Sequence, residues 1–324
     1  MPYADVIELA LYHEEHGFYS SGGQAGRRGD FITSPEVGPL FGNLVANALD
    51  AEWDRLGQPE VFTVVDYGAG PGTLARSIAA ADPRCRARLQ YVAVERSIEQ
   101  RAQHPEWVLS DSSLAEATVG DGLTGVVIAN ELLDNMAFTP VLRSNDQLEQ
   151  LVVVAEGNRL TTAPGPALTP TQSSWFAEDL EQGLLQDDAA TWLTTSLESL
   201  TAGRILVIDY ARLHSSEVTL RTYANHEQAG DPLVGLGTKD ITVDLDLAQI
   251  QNRTRVADSI RTQADWLSHL GIADLVAEGQ RIWEESAAVG DLAALKAKSR
   301  VREAESLMDT VGLGGFLVAE WVVE

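Results

Sequence analysis

Alternation between apolar runs and turn-rich breaks marks out the elements of this chain. Residues 61–65 form an unbroken apolar and β-branched run, as a buried strand would, and Asp66 closes it. Gly68, Gly70 and Gly72 follow, and a helix-like run covers 74–81. Strand, glycine turn and helix N-terminus in that order build a ligand cradle. Glycines let the backbone come close to a ligand, and the first helical turn presents free N–H groups to it. Further strands are predicted at 89–95, 107–109 (a short one), 125–129, 204–210 (again buried) and 315–323. The first three of these end at Glu95, at Ser110 and Asp111, and at Asn130 and Glu131. Polar residues at the C-terminal ends of successive strands are expected where an open α/β sheet binds a ligand.

The remaining pattern is mixed. Residues 3–12 have helical spacing (Val6, Leu9, Ala10). After a glycine-rich loop at 22–29, Ser34 can cap a helix with Pro35 at its first position. That helix would run to about Arg55, with Leu40, Phe41, Leu44, Val45, Ala48 and Trp53 on its apolar side, until Gly57 and Pro59 end it. Residues 139–143 and 151–155 predict a hairpin around Asn145 and Asp146, and 171–200 predict one long helix. Residues 211–310 open as loop, pass through a strand at 241–243 and continue helically. The expected fold is α/β, Rossmann-like and mainly parallel. Its expected parts are an N-terminal helical lid (1–59), a core (60–210 plus 311–324) and a segment (211–310) inserted before the final strand.

Composition narrows the function. With 324 residues, 44% hydrophobic and 22% charged, the chain can build a large core, and wholesale disorder is excluded. A net charge of −25 repels phosphate backbones and anionic membranes and steers basic substrates inward; the same acid also serves plain solubility. Cys85 is the only cysteine, so neither an internal disulfide nor a cysteine-built metal cluster can form. His13 and His16 lie i, i+3 with no third ligand type beside them, and no metal is expected. The N-terminus has no basic start or cleavage site, and no apolar run reaches membrane-spanning length; the expected location is cytoplasmic.

The spacing of the glycines is informative. G-x-G-x-G with Thr73 next departs from the dinucleotide fingerprint, which wants glycine or alanine there. With Asp66 two places ahead, it resembles motif I of class I methyltransferases that use S-adenosylmethionine. That ligand needs a two-oxygen acceptor for its ribose hydroxyls, and Glu95 ends the second strand. Asp111, near the end of the third strand, is placed for the adenine amino group. The methionine end would lie against the glycine turn near Asp66. Singly, such acids are more often solvated charges; three at successive strand ends, beginning with the glycine motif, make a joint case. On the acceptor side Glu131 and Asp134 lie three residues apart, on one face if the segment is helical. Paired carboxylates could grip a guanidinium and help take its proton, or simply satisfy N–H groups at a helix start.

Four stretches together resemble the MidA-type S-adenosylmethionine-dependent methyltransferases (the DUF185 family). His16-Gly17-Phe18-Tyr19 with the segment 29–36 (G-D-F-I-T-S-P-E) and Phe41-Gly42 is the most specific. Residues 66–74 match E-L-G-P-G-x-G-T-L with Asp66 for Glu and Ala69 for Pro. Residues 130–134 match N-E-[FL]-[FL]-D, and 240–245 with Gln263, Trp266 and Leu267 match late segments. The resemblance covers nearly the whole chain. Mitochondrial members of that family methylate an arginine on a core subunit of respiratory complex I. The resemblance therefore implies S-adenosylmethionine as cofactor and an arginine of a protein partner as acceptor. It implies that Asp66, Gly68, Gly70, Gly72, Glu95, Asp111 and Asn130 hold the cofactor. The loop 30–36, with Thr33, Pro35 and Glu36, would close over it, and Glu131 and Asp134 would face the acceptor. Arg221 and His226 match a further R-x-x-x-x-H-like stretch, where a surface loop histidine is the plainer reading.

The sequence departs from the family where A-L-P-V usually follows the acid pair: here residues 135–141 read N-M-A-F-T-P-V. That leaves open a small-molecule methyltransferase, and a non-catalytic assembly factor of the same fold. A homodimer is allowed; nucleic-acid and membrane partners are not expected.

Overall fold

The computed structural model describes residues 1–20, 32–113, 122–213, 219–224, 227–286 and 292–324. In chain order the elements that matter are α1 (Tyr3–Tyr12), α2 (Ser34–Val37), α3 (Pro39–Arg55), β1 (Phe62–Tyr67), α4 (Thr73–Ala81), β2 (Leu89–Val94), α5 (Ile98–Arg101), β3 (Leu109–Asp111) and β4 (Leu123–Asn130). They continue with β5 (Thr139–Ser144), β6 (Gln147–Glu156), β7 (Arg159–Ala167), α6 (Pro170–Ser173), β8 (Gln182–Leu185), α7 (Asp187–Ser199) and β9 (Leu200–Asp209). Last come β10 (Leu220–Ala224), β11 (Asp240–Val243), α8 (Leu247–Arg253), β12 (Ser259–Thr262), α9 (Gln263–His269), α10 (Ile272–Ser286), α11 (Leu292–Met308) and β13 (Leu317–Val323).

Seven strands form the main sheet in the order β3-β2-β1-β4-β9-β13-β12. The first five are parallel; β13 runs antiparallel to both of its neighbours. The order reverses between β1 and β4, and a crevice outside the C-terminal ends of the strands is expected at such a switch point. Both faces are covered. Phe62, Val64, Tyr91 and Ile128 pack under α3, α4 and α9, while Val65, Val92, Val127 and Ile205 pack under α7 and α8. This double burial is why the central strands read as continuous apolar runs. At Gly125 an added Cβ would lie 1.9 Å from the Thr63 carbonyl oxygen on the neighbouring strand, so only glycine fits there.

A second sheet, β7-β6-β5-β8, grows out between β4 and α7. The hairpin turn is where the sequence places it, with Asn145 and Asp146 at φ 47° and 64°, as a two-residue turn matching strand twist requires. The pairing differs from the expected one. Val141 faces Gln150, so residues 151–155 pair with β7 and not with 139–143.

Other expectations are corrected. The helix from Ser34 to Arg55 is broken into α2 and α3 at Gly38, because Pro39 disfavours helical backbone before it. The Glu303 carboxylate fills the break: it accepts the Leu40 N–H at 2.9 Å and occupies the space of a Gly38 Cβ. Thr33, not Ser34, precedes the first turn, and the Ser34 hydroxyl instead donates to Gln263. The long helix over 171–200 is interrupted. Residues 177–180 form a turn, closed by the Leu180 N–H on the Ala177 carbonyl, and Arg143 pins it by donating to the carbonyls of Glu178 and Leu180, and to that of Glu181 through its own N–H, so that β8 pairs with β5. The third strand is Leu109–Asp111, so Ser110 and Asp111 lie within it. Residues 211–310 are not all inserted outside the main sheet: β12 forms its edge.

Candidate active site

The glycine turn after β1 is built as a fixed cradle. Gly68, Gly70 and Gly72 have φ of 69°, 54° and 81°, left-handed values open to glycine at little cost. The N–H groups of Gly68 and Ala69 donate to the Val94 carbonyl at the end of β2. Gly70 is held from both sides: its N–H donates to Glu95 Oε2 at 3.0 Å, and its carbonyl meets His104 Nε2 at 2.7 Å. That second contact requires the proton on Nε2, leaving Nδ1 to accept from Ser110 Oγ at 2.8 Å. Glu95 Oε1 accepts the Ser97 N–H at 2.8 Å, so both of its oxygens are oriented before any ligand arrives.

A cavity of about 650 Å³ opens on this turn. Of the residues expected at the cofactor, Asp66, Gly68, Gly70, Glu95 and Asn130 line it, and so do Thr33, just before α2, and Pro35 and Glu36 within it. Gly72 does not: it faces His104 and Pro105, and its part is to make the turn. Asp111 does not line it either. One Asp111 oxygen accepts the Ser112 N–H at 2.6 Å, and Ser112 and Ser113 reach the cavity in its place. Asp66 lies at the floor, accepting from the Tyr91 hydroxyl at 2.8 Å, and burial pushes its carboxyl up to about 7. Residues 30 and 31 of the expected loop lie outside the described residues, as does His226. Arg221 is turned away from the cavity and pairs with Asp244 at 2.6 Å.

The acceptor side differs more from expectation. Glu131 lines the cavity, but its backbone is left-handed, φ 52°, and Leu132 is also non-helical. Glu131 and Asp134 therefore do not share a face. Glu131 Oε1 accepts the Ser34 N–H at 2.8 Å and the Asn130 amide at 3.1 Å, and burial, with Asp134 adding to it, pushes its carboxyl up to about 8. Asp134 does not line the cavity; its Oδ2 accepts from the Thr242 hydroxyl at 2.5 Å, and burial raises its carboxyl. Asn135, next along, donates to Asp240 Oδ1 and to the Ile241 carbonyl, and Asp240 also receives the Tyr19 hydroxyl.

Several walls were not foreseen from the sequence. Glu8 and Tyr12 come from α1, Arg96 and Gln100 follow β2, and Asp188, Thr191 and Trp192 come from α7. Tyr12 stacks on Tyr19 at 5.4 Å, and the Arg96 guanidinium lies 4.3 Å above the Tyr12 ring while pairing with Glu8 at 2.6 Å. The position of Tyr19 in H-G-F-Y was the one signal pointing here. Nothing in the spacing of α7 distinguishes a cavity wall from a solvent face.

Known proteins fit this geometry. A family model described as "Putative S-adenosyl-L-methionine-dependent methyltransferase" matches residues 44–265. The chain belongs to this family. Its cofactor is S-adenosylmethionine, and the fold is that of the class I methyltransferases. A crystal structure of a COG1565 superfamily member from Burkholderia thailandensis, bound to S-adenosyl-homocysteine, superposes with a TM-score of 0.83 at 25% identity, over 99% of this chain and 87% of that one. Among curated relatives of this methyltransferase, the mitochondrial "Protein arginine methyltransferase NDUFAF7 homolog" of Drosophila melanogaster is 27% identical over 290 residues. That covers 78% of this chain and 66% of the relative. The human mitochondrial "Protein arginine methyltransferase NDUFAF7" is 23% identical over 76% of this chain and 64% of its own length. The methyltransferase thus spans slightly less than two thirds of these relatives.

The cavity suits the cofactor on its own evidence. The left-handed glycines put no side chain between the turn and the cavity, and Glu95 presents an oriented carboxylate. Asn130 Oδ1 is a buried acceptor at the cavity wall with no hydrogen-bond partner, which a ligand N–H could supply.

Proposed function

We propose that this methyltransferase modifies a guanidinium nitrogen of a protein arginine. The observation that carries the reading is the charge of the cavity. Among its described lining residues are six carboxyl groups (Glu8, Glu36, Asp66, Glu95, Glu131 and Asp188), of which burial holds Asp66 near 7 and Glu131 near 8, and one cation, Arg96, already paired with Glu8. Such a wall draws in a cation and repels anions. The curated relatives, named protein arginine methyltransferases, support the same acceptor.

The chain's residues divide the work. Glu95 receives the ribose hydroxyls, the turn Gly68–Gly70 takes the methionine end, and Asn130 offers its free oxygen there. Ser112, Ser113 and Gln100 flank the adenine end, while Thr33, Pro35 and Glu36 line the cavity beside Ser34, whose N–H meets Glu131. Bound there, the cofactor supplies a methyl group on a positively charged sulfur. A guanidinium is a poor nucleophile because it stays protonated near neutral pH. Glu131 orients it by a charge-assisted contact and accepts the proton the nitrogen gives up as its new bond to carbon forms. A carboxyl held near 8 is a stronger base than an ordinary one, and an approaching cation favours its ionised form.

The test is transfer of labelled methyl from S-adenosylmethionine into an extract of cells lacking this gene. Label in protein, recovered as methylarginine and absent with E131Q, is expected. A second reading has one observation in its favour: Asn135, Met136 and Ala137, where the sequence leaves the family pattern, line the cavity. Label confined to small molecules would establish that reading and remove the first.

A further inference from the structure

Glu131 sits in a backbone conformation that non-glycine residues avoid, φ 52°, and something must hold it there. The hold comes from the end of β9. Asp209 is fully buried, and its Oδ2 accepts the N–H groups of Leu132 at 3.2 Å, Leu133 at 2.9 Å and Asp134 at 3.3 Å. Its Oδ1 accepts the Tyr210 N–H at 2.8 Å. One residue earlier, the Ile208 carbonyl accepts the N–H of Glu131 at 2.8 Å. Four consecutive N–H groups, 131 to 134, are therefore fixed by two consecutive residues of one strand. From the other side Thr242 and Asp240 of β11 fix the Asp134 and Asn135 side chains.

We propose that Asp209 is the positioning residue of this methyltransferase: its carboxylate gathers the N–H groups after Glu131 and so aims the Glu131 side chain into the cavity. The proposal rests on the reading of Glu131 as the acceptor-side base. It gives Asp134 a different part from the one its spacing suggests, as a member of the buried support. Asp209 touches neither cavity nor ligand. Asparagine cannot replace it without loss, because either orientation of its amide turns the NH2 toward at least one backbone N–H group.

The test compares D209N with E131Q and the wild type in the labelled-methyl assay, varying S-adenosylmethionine. For D209N the maximal rate is expected to fall at least about tenfold, with the half-saturating cofactor concentration and the affinity for S-adenosylhomocysteine unchanged within about twofold. Amide exchange at Leu132 to Asp134 should quicken by about tenfold or more while β1 and β4 exchange as before. The charged and titratable groups facing Glu131 are Asp134 and Asp209, with the Tyr210 phenol beside them. Burial, with Asp134 and Glu131 adding to it, holds the Asp209 carboxyl well above the usual carboxylate range.

An unchanged maximal rate in D209N, with E131Q inactive, overturns the proposal. Loss of rate together with cofactor affinity also overturns it, since Asp209 would then merely support the fold. Full activity of E131Q is a distinct failure, that of the Glu131 reading itself. If D209N does not fold, D209E decides: it keeps the carboxyl group but displaces the oxygens, and a full maximal rate with intact cofactor affinity would refute positioning.

Discussion

Glu95 offers the sharpest single test of the cofactor site. Its two oxygens hold Gly70 N–H at 3.0 Å and Ser97 N–H at 2.8 Å. A glutamine there keeps size and shape but must turn its NH2 group toward one of the two donors. One hydrogen bond to a charged acceptor is lost, worth about 1.5–3 kcal/mol. If the lost contact is that of Gly70, the glycine turn also loses its fix on one side, leaving only His104 on the Gly70 carbonyl. The bound state suffers more than the free one, because a ribose hydroxyl then faces a donor where an acceptor stood. A net loss of about 2–3 kcal/mol corresponds to roughly 30- to 150-fold in Kd, at 1.4 kcal/mol per tenfold. Isothermal calorimetry with S-adenosylhomocysteine on E95Q and the wild type reads this directly. A change in Kd of less than about threefold, with the melting temperature unmoved, would show that Glu95 does not hold the ribose and that the cavity binds its ligand elsewhere.

Other expectations follow from the same geometry. G68A must take a left-handed φ of 69° and place a Cβ 2.9 Å from Leu132 Cδ1; it should lose about 1–2 kcal/mol in urea unfolding and bind S-adenosylhomocysteine at least about tenfold more weakly. The transfer rate should rise with pH through about 8 as Glu131 ionises, and that limb should be absent from the residual activity of E131Q. Burial raises Asp66 from 3.8 to about 7, so the folded protein keeps a proton that the unfolded chain has released; stability falls as pH rises across that window, and D66N should flatten the slope in urea midpoints. Cys85 is fully buried with its thiol pushed up to about 12, so it should resist a disulfide reagent in the native state and react fully once unfolded.

The sequence was most legible where one strand or one turn decides the structure alone. β1, β2 and β4 are buried on both faces and read as apolar runs, and the left-handed glycines announce themselves by identity. Legibility failed where a distant partner decides. Periodicity cannot say that Arg143 will pin a turn at 177–180, or that the Glu303 carboxylate will sit in the gap at Gly38. The i, i+3 spacing of Glu131 and Asp134 suggested a shared face only for helical backbone, and the bonds from Asp209 make the segment a turn instead. The α7 wall was illegible for another reason. Asp188, Thr191 and Trp192 have the polarity of an exposed helix face, and only the tertiary fold turns that face toward the cavity.

The bonds from β9 to the turn after Glu131 also bear on how the protein is made. The glycine turn and the carboxylate of Glu95 come from adjacent strands and can meet while the chain is still emerging from the ribosome. The acceptor-side turn cannot be set then, because Asp209 follows Leu132 by 77 residues and the whole second sheet is translated in between. β12 waits longer still: its place at the sheet edge exists only after β13 has paired with β9. A nascent chain would thus hold a half-built pocket, competent for the nucleotide end of its ligand before it can position an acceptor. During synthesis, at about 5–20 residues per second, that interval lasts several seconds, in which the free edge of β4 is open to wrong partners.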